Sequence, residues 1–215
     1  LLSRGLGDVY KRQHMKLYLI RHGESKSNYD KKEGNHYFCG QLDVPLTEKG
    51  ARDAQLLQHH FNKLKIDHIY MSDLTRTRQT YNAIFDKDIP ASVTTLLRER
   101  SLGKFEGEKV SEIEQDTQFA TYFNGGPNSS FRHSFTQKAP AGESYEDVLQ
   151  RVASFFKQEL DTSLDTVVII AHQVVIRCCF VYLGYENKTS VIDKKIENCV
   201  PCLLYTSDAA DEEDS

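Results

Sequence analysis

Short, nearly unbroken apolar segments alternate along the chain with longer segments in which apolar residues recur every three or four positions. The apolar segments predict buried strands, at residues 15–20, 66–71 and 166–171. The segments of helical period predict amphipathic or buried helices, at residues 47–61, 72–84, 144–156 and 173–183. Strands that alternate with helices favour an α/β fold, and we expect a three-layer sandwich with a mainly parallel sheet flanked by helices.

The periodicity weakens near residues 108–141, where Gly125-Gly126-Pro127-Asn128 marks a turn. We interpret this stretch as an insertion that carries short helices and lies over an edge of the sheet. Insertions in this position often close on a substrate.

Composition places the chain among ordinary globular proteins: of its 215 residues, 39% are hydrophobic and 27% are charged, with a formal net charge of -4. The most apolar stretch, 167–183, is interrupted by His172, Gln173 and Arg177, so we predict no membrane span and no membrane partner. Five cysteines without paired spacing, and no apolar leader, favour a reducing cytoplasm. We expect no nucleic-acid partner either, and the sequence does not indicate an oligomeric state.

Both ends of the chain differ in character from the rest. Residues 1–14 and 201–215 resemble the conceptual translation of transposase adapters used in sequencing libraries, and we interpret them as artefacts. The alternative is a genuine solvated tail, because 208–215 is an acidic run without apolar period. The domain would then span 15–200 with its native C-terminus truncated. Residues 202–205 are apolar enough to pair as a strand although we interpret them as foreign.

Chemically capable side chains follow the predicted strands. Arg21 and His22 end the first strand, Arg76 lies in the first turn of a helix after the second, Glu99 follows a third, and His172 ends the most apolar one. Ligands of open α/β sheets bind beyond the carboxyl ends of the strands, so we expect these residues to converge there.

This combination suits phosphoryl transfer. Arginine forks hold phosphate oxygens bidentately and stay charged at any working pH. A neutral imidazole nitrogen can attack phosphorus, and a carboxylic acid can protonate the departing alcohol and afterwards activate water. Each residue alone also has a structural interpretation, as a hydrogen-bonded core histidine or a solvated arginine. The hypothesis of phosphoryl transfer therefore rests on the combination of these residues and not on any one of them.

The order and spacing of these residues are similar to those of the histidine phosphatase superfamily, which includes cofactor-dependent phosphoglycerate mutase and fructose-2,6-bisphosphatase. The resemblance rests on six motifs: LIRHGESKSN at 19–28, PLTEKG at 45–50, SDLTRTRQT at 72–80, LRERSLGKFEG at 97–107, GESYEDV at 142–148 and AHQVVIR at 171–177. It runs from residue 15 to about residue 200.

The resemblance implies a role for each site residue. It makes His22 the nucleophile and Glu99 the proton donor. Arg21, Arg76 and His172 would form the phosphate pocket, and Asn28 and Gln173 would add substrate contacts. No metal ion or other cofactor is implied, and the expected partner is a small phosphorylated substrate.

Within the superfamily, two departures from the mutase pattern favour a phosphatase. Mutases usually have a tyrosine three residues after the acid, where this chain has Leu102, and adjacent arginines in the insertion, where it has Arg132 and His133. Gln173 and the GESYEDV run resemble the fructose-2,6-bisphosphatase branch. We therefore expect a phosphomonoesterase acting on small metabolites through a phosphohistidine. The alternatives are a phosphoglycerate mutase and a non-catalytic module that binds phosphorylated ligands.

Four further residues each have two interpretations. Arg98, Arg100 and Lys104 flank Glu99, so they either contact a second anionic group of the substrate or form a solvated face. Cys39 is expected near the site, either as a reactive thiol or as an inert one.

Overall fold

The protein is described by a computed structural model that covers residues 15–86 and 88–206. Its single sheet has the strand order β3-β2-β4-β1-β5. The strands are β1 Lys16–Arg21, β2 His68–Ser72, β3 Ala91–Thr94, β4 Thr166–Ala171 and β5 Cys202–Tyr205. The first four are parallel and β5 is antiparallel to β1, which confirms the mainly parallel sheet.

Helices cover both faces of the sheet, as predicted for a three-layer sandwich. They are α1 Lys26–Lys32, α2 Glu48–Leu56, α3 Gln58–Phe61, α4 Thr75–Ile84, α5 Val110–Gln115, α6 Tyr145–Gln158 and α7 Gln173–Tyr182. Successive residues of a strand point to opposite faces, so Leu19 packs with α6 and α7 whereas Ile20 packs with α2, α3 and α4. Two hydrophobic cores therefore hold the central strands in place.

Local sequence explains several helix boundaries. The Thr47 side chain caps α2, and Ser144 and Asp147 form a capping box at the start of α6. The helix predicted from residue 72 begins instead at Thr75, since Leu74 is extended and the carboxylate of Asp43 accepts the Thr75 N–H at 2.6 Å. The helix predicted over 47–61 is divided into α2 and α3.

The insertion has a core of its own. It contains α5 and a 3-10 helix over Thr117–Tyr122, and its aromatic side chains surround Phe105, which is fully buried. Phe38 and Phe131 join this cluster, with ring centroids 5.2 and 5.6 Å from that of Phe105. The cluster fixes the insertion beside the carboxyl ends of the strands.

Residues 202–205 pair with β1 as the sequence predicted, and Leu204 is buried in the same hydrophobic core as Leu19. The proposed foreign origin of the ends stays a prediction. Residues 1–14 and 207–215 lie outside the described residues.

Candidate active site

The residues predicted at the strand ends come together around one cavity of about 310 Å³. Arg21, His22, Arg76 and Glu99 line it, together with Asn28 and Gln173. His172 does not line the cavity and lies behind His22, with 5.2 Å between the two ring centroids.

His22 is held in one tautomer. Its Nδ1 lies 2.7 Å from the carbonyl oxygen of Gly23, and because a carbonyl only accepts, Nδ1 must carry the proton. The lone pair then lies on Nε2. Burial, with the charges of Arg76 and Arg21 nearby, lowers the pKa of His22 well below its ordinary value of 6.5. The geometry thus presents a neutral imidazole, the form that can act as a nucleophile.

His172 is fully buried at the N-terminus of α7 and is engaged on both sides. Its Nδ1 accepts from Nε of Arg76 at 3.3 Å, and its Nε2 lies 2.7 Å from the hydroxyl of Ser72. Nδ1 is the acceptor, so Nε2 carries the proton and donates to Ser72. Burial and the charge of Arg76 lower the pKa of His172 well below 6.5. The ring therefore orients the Arg76 guanidinium without adding charge.

The two arginines are fixed by backbone carbonyls. Arg76, 2% exposed, donates to the carbonyls of Leu42 and Gly40 at 2.7 and 3.0 Å. Arg21 donates through Nη1 to the carbonyl of Ile196, and its buried Nε has no hydrogen-bond partner among the described residues. Neither arginine has its charge neutralised by a carboxylate at hydrogen-bond distance in the described chain, so both can stabilise an anion.

The side chain of Glu99 faces the N-terminus of α7. Its carboxylate accepts from the backbone N–H of Arg100 at 2.8 Å and faces the N–H of Val174 at 3.3 and 3.4 Å. The carbonyl of Glu99 accepts from the Gln41 side chain at 2.9 Å, which anchors the backbone of this loop. The carboxyl group is thereby held at the cavity wall, as a proton donor to a leaving group must be.

The two predicted substrate contacts have different environments. Asn28 forms the capping box of α1 with Ser25, and its Oδ1 also faces the Asn198 side chain at 3.4 Å. The Nδ2 group of Asn28 has no partner in the described part of the chain. Gln173 is half-buried at the start of α7 and also lines the cavity.

Several cavity residues with cationic or phenolic side chains were not assigned a role from the sequence. Tyr145, Arg177 and Lys31 line it from three helices, and Arg132 lines it from the insertion. The sequence contains one signal that could have indicated Arg177, because it is a lone charged residue within the apolar stretch 167–183. Of the basic residues beside the acid, Arg100 lines the cavity, whereas Arg98 forms a two-pronged ion pair with Asp73.

Leu102 and Cys39 also line the cavity. Leu102 offers a hydrocarbon side chain where the mutase pattern has a phenol. Burial raises the pKa of the Cys39 thiol, which argues against a reactive thiolate at neutral pH.

The described residues contain no group of three or more His, Cys, Asp or Glu side chains placed to hold a metal ion. None of the helices in 15–86 and 88–206 is both long and apolar enough to cross a bilayer.

Comparison with known proteins gives matches over most of the chain. The profile described as "Histidine phosphatase superfamily (branch 1)" matches residues 17–209. A 2,3-bisphosphoglycerate-dependent phosphoglycerate mutase of Gloeobacter violaceus is 28% identical over 86% of this chain and 83% of its own length. The mouse fructose-2,6-bisphosphatase TIGAR is 35% identical over 65% of this chain, which corresponds to 49% of that relative.

A solved structure agrees with these matches. The mycobacterial glucosyl-3-phosphoglycerate phosphatase is 26% identical, with a TM-score of 0.70 over 88% of this chain and 89% of that one. The similar proteins thus include both phosphatases and mutases.

Proposed function

The chain belongs to the histidine phosphatase superfamily, and we propose that it is a phosphomonoesterase that hydrolyses small phosphorylated metabolites through a phosphohistidine. The observation that carries this proposal is the Nδ1 bond from His22 to the Gly23 carbonyl, which leaves Nε2 unprotonated in the cavity that Arg21, Arg76 and Glu99 also line. Similar proteins named as phosphatases, such as the mouse fructose-2,6-bisphosphatase, support the same activity.

In the first step, Nε2 of His22 attacks phosphorus, and the bond from phosphorus to the ester oxygen breaks. Glu99 gives its proton to that oxygen, so the alcohol leaves neutral. Arg21 and Arg76 stabilise the charge on the equatorial oxygens of the transferring group.

In the second step, the carboxylate of Glu99 takes a proton from water, and the oxygen of that water attacks the phosphohistidine. The nitrogen–phosphorus bond breaks, inorganic phosphate leaves, and His22 returns to its neutral tautomer. His172 acts on both steps through Arg76, because its Nδ1 accepts a hydrogen bond from Nε of Arg76. Asn28 and Gln173 contact the bound substrate from the cavity wall.

The nucleophile is tested with His22→Ala and a matched control, His59→Ala, at an exposed histidine of α3. We expect His22→Ala to lose hydrolysis of p-nitrophenyl phosphate and the acid-labile phosphoenzyme trapped by rapid quench. His59→Ala should keep both. A normal phosphoenzyme in His22→Ala would reject the assignment of the nucleophile.

The second candidate is a phosphoglycerate mutase, favoured by the similarity to the Gloeobacter violaceus enzyme. In a mutase the phosphoryl group passes to a bound sugar acid and not to water. Incubation with 3-phosphoglycerate and a bisphosphorylated primer separates the two by phosphorus NMR. Inorganic phosphate as the main product supports the phosphatase, and 2-phosphoglycerate supports the mutase.

A further inference from the structure

The tautomer of the His22 ring depends on the position of one glycine carbonyl, since Nδ1 of His22 donates to the carbonyl oxygen of Gly23 at 2.7 Å. No larger residue fits at position 23, because a Cβ atom there would lie 2.6 Å from the carbonyl oxygen of Gly50. Glycine has the widest choice of backbone conformations, so Gly23 does not fix the direction of its own carbonyl. Contacts from other parts of the chain must therefore hold it.

The peptide group that joins His22 to Gly23 is held at both ends. Its N–H donates to Oγ1 of Thr80 at 2.9 Å, and its carbonyl oxygen accepts from Nδ2 of Asn198 at 2.7 Å. A peptide group is planar, and its N–H and C=O point in opposite directions, so these two bonds together fix its rotation. The Gly23 backbone therefore continues from a fixed plane.

The Asn198 amide reaches two more oxygen atoms. Its Nδ2 lies 3.4 Å from the carbonyl oxygen of Gly23 and 3.4 Å from Oδ1 of Asn28. The backbone carbonyls of His22 and Gly23 only accept hydrogen bonds, so the NH2 end of the amide, and not its oxygen, must face them. Asn198 therefore links the backbone of the nucleophile to the side chain that we expect to contact the substrate.

Asn198 is itself fixed to the sheet. It forms an isolated parallel bridge with Arg21 at the end of β1, and the N–H of Cys199 donates to the Arg21 carbonyl at 3.0 Å. Cys199 has a φ angle of 55°, a left-handed conformation that is uncommon for residues other than glycine and persists only where the surroundings enforce it. Asn198 does not line the cavity, so its effect on the reaction passes through the residues that it holds.

Resting on the proposed function, we infer that Asn198 is a positioning residue for the nucleophile. Its amide holds the backbone of His22 and Gly23 so that the Gly23 carbonyl keeps the proton on Nδ1 and leaves Nε2 free to attack phosphorus. Positive charge develops on the ring during that attack, and a carbonyl oxygen already in place stabilises this charge without rearrangement. Without the amide, the carbonyl can turn away, and the ring populates the tautomer in which Nε2 carries the proton and cannot attack.

The test uses Asn198→Ala and Asn198→Asp. The first removes the amide, and the second keeps its shape but places an acceptor against two carbonyl oxygens. Asn187→Ala is the matched control, because the Asn187 side chain also bonds backbone groups in the C-terminal part of the chain. It accepts the N–H groups of Thr189 and Ser190, and it does not line the cavity.

The first readout is kcat/KM for p-nitrophenyl phosphate, which reports the steps up to release of p-nitrophenol. We expect it to fall by roughly 10- to 100-fold in both Asn198 variants, because displacing a reacting group by about 1 Å can cost on the order of 100-fold in rate. The inhibition constant of inorganic phosphate should stay close to the wild-type value, because Arg21 and Arg76 keep their own carbonyl partners. Asn187→Ala should change neither quantity.

The second readout is nitrogen-15 NMR of the histidine rings, which reports the tautomer directly and which a general loss of stability does not move. The His22 signals are assigned by their absence in His22→Ala. In the wild type they should show a protonated Nδ1 and an unprotonated Nε2. In Asn198→Ala the tautomer with a protonated Nε2 should appear.

An unchanged kcat/KM in the Asn198 variants, or an unchanged His22 tautomer in Asn198→Ala, would overturn the inference while hydrolysis by the wild type still supports the proposed function. An equal loss in Asn187→Ala, or a parallel weakening of phosphate binding, would also overturn it. Absence of hydrolysis in the wild type would overturn both the inference and the proposed function.

Discussion

The loop that carries Glu99 is clamped from outside the cavity by an ion pair. Arg151 on α6 binds the Glu143 carboxylate through Nε and Nη2 at 2.7 and 2.9 Å. Arg151 also donates to the carbonyls of Leu96 and Glu99 at 2.7 and 3.4 Å, and Glu143 accepts the N–H of Ser101 at 2.8 Å. The pair therefore holds the loop on both sides of the acid, and we predict that it positions Glu99 for proton transfer.

The substitution Arg151→Met tests this clamp. The side chains of Arg151 and Glu143 are 19% and 22% exposed, so solvent screens part of their attraction. Loss of the paired bonds should lower the free energy of unfolding by about 1–2 kcal/mol. The catalytic effect should be larger, because displacing a catalytic group by about 1 Å can cost on the order of 100-fold in rate.

The assay is kcat/KM for an alkyl phosphate and for p-nitrophenyl phosphate. Only the alkyl leaving group depends strongly on a proton donor, so Arg151→Met should lose about 10- to 100-fold on the alkyl ester and much less on the aryl ester. Glu143→Gln should give the same pattern. The double variant should lose less than the sum of the single losses, since both residues hold one loop. Equal losses on the two substrates would show that the clamp contributes to stability alone.

Two further predictions concern charge. Arg76→Lys keeps the charge but loses the planar guanidinium fork, which donates to the carbonyls of Leu42 and Gly40. We expect kcat to fall by at least about 10-fold, and a near-normal kcat would refute a phosphate-binding role for Arg76. The lowered pKa values of His22 and His172 mean that below pH 6.5 the unfolded chain binds protons that the folded protein does not. As the pH is lowered below 6.5, the free energy of unfolding should therefore fall by up to about 1.4 kcal/mol per pH unit for each histidine. Urea unfolding between pH 7.5 and 5.5 measures this change, and a flat profile would contradict neutral buried rings.

Elements with a strong hydrophobic period were predicted nearly residue by residue. β4 has the bounds expected from its apolar run, and α7 ends one residue before the prediction. α1 was missed because the sequence KSNYDKK has no apolar period, and the capping box of Ser25 and Asn28 defines its start. The start of α4 was wrong by three residues because Asp43, distant in the chain, supplies the acceptor at its N-terminus. Such contacts depend on the completed fold.

The same distinction applies to the site. Arg21, His22 and His172 were predictable because each ends a parallel strand, and such ends share one edge of the sheet. Tyr145 and Arg177 lie instead on α6 and α7, where helical period makes them core residues. Yet a buried arginine needs partners, and the interruption of an apolar segment by Arg177 already requires a hydrogen-bond acceptor nearby. The phenol of Tyr145 is one such acceptor, at 2.8 Å, and the backbone carbonyl of Lys194 is the other. An isolated charge in a buried helix was thus the sequence signal for the hydrogen-bonded pair of Arg177 and Tyr145 that lines the cavity.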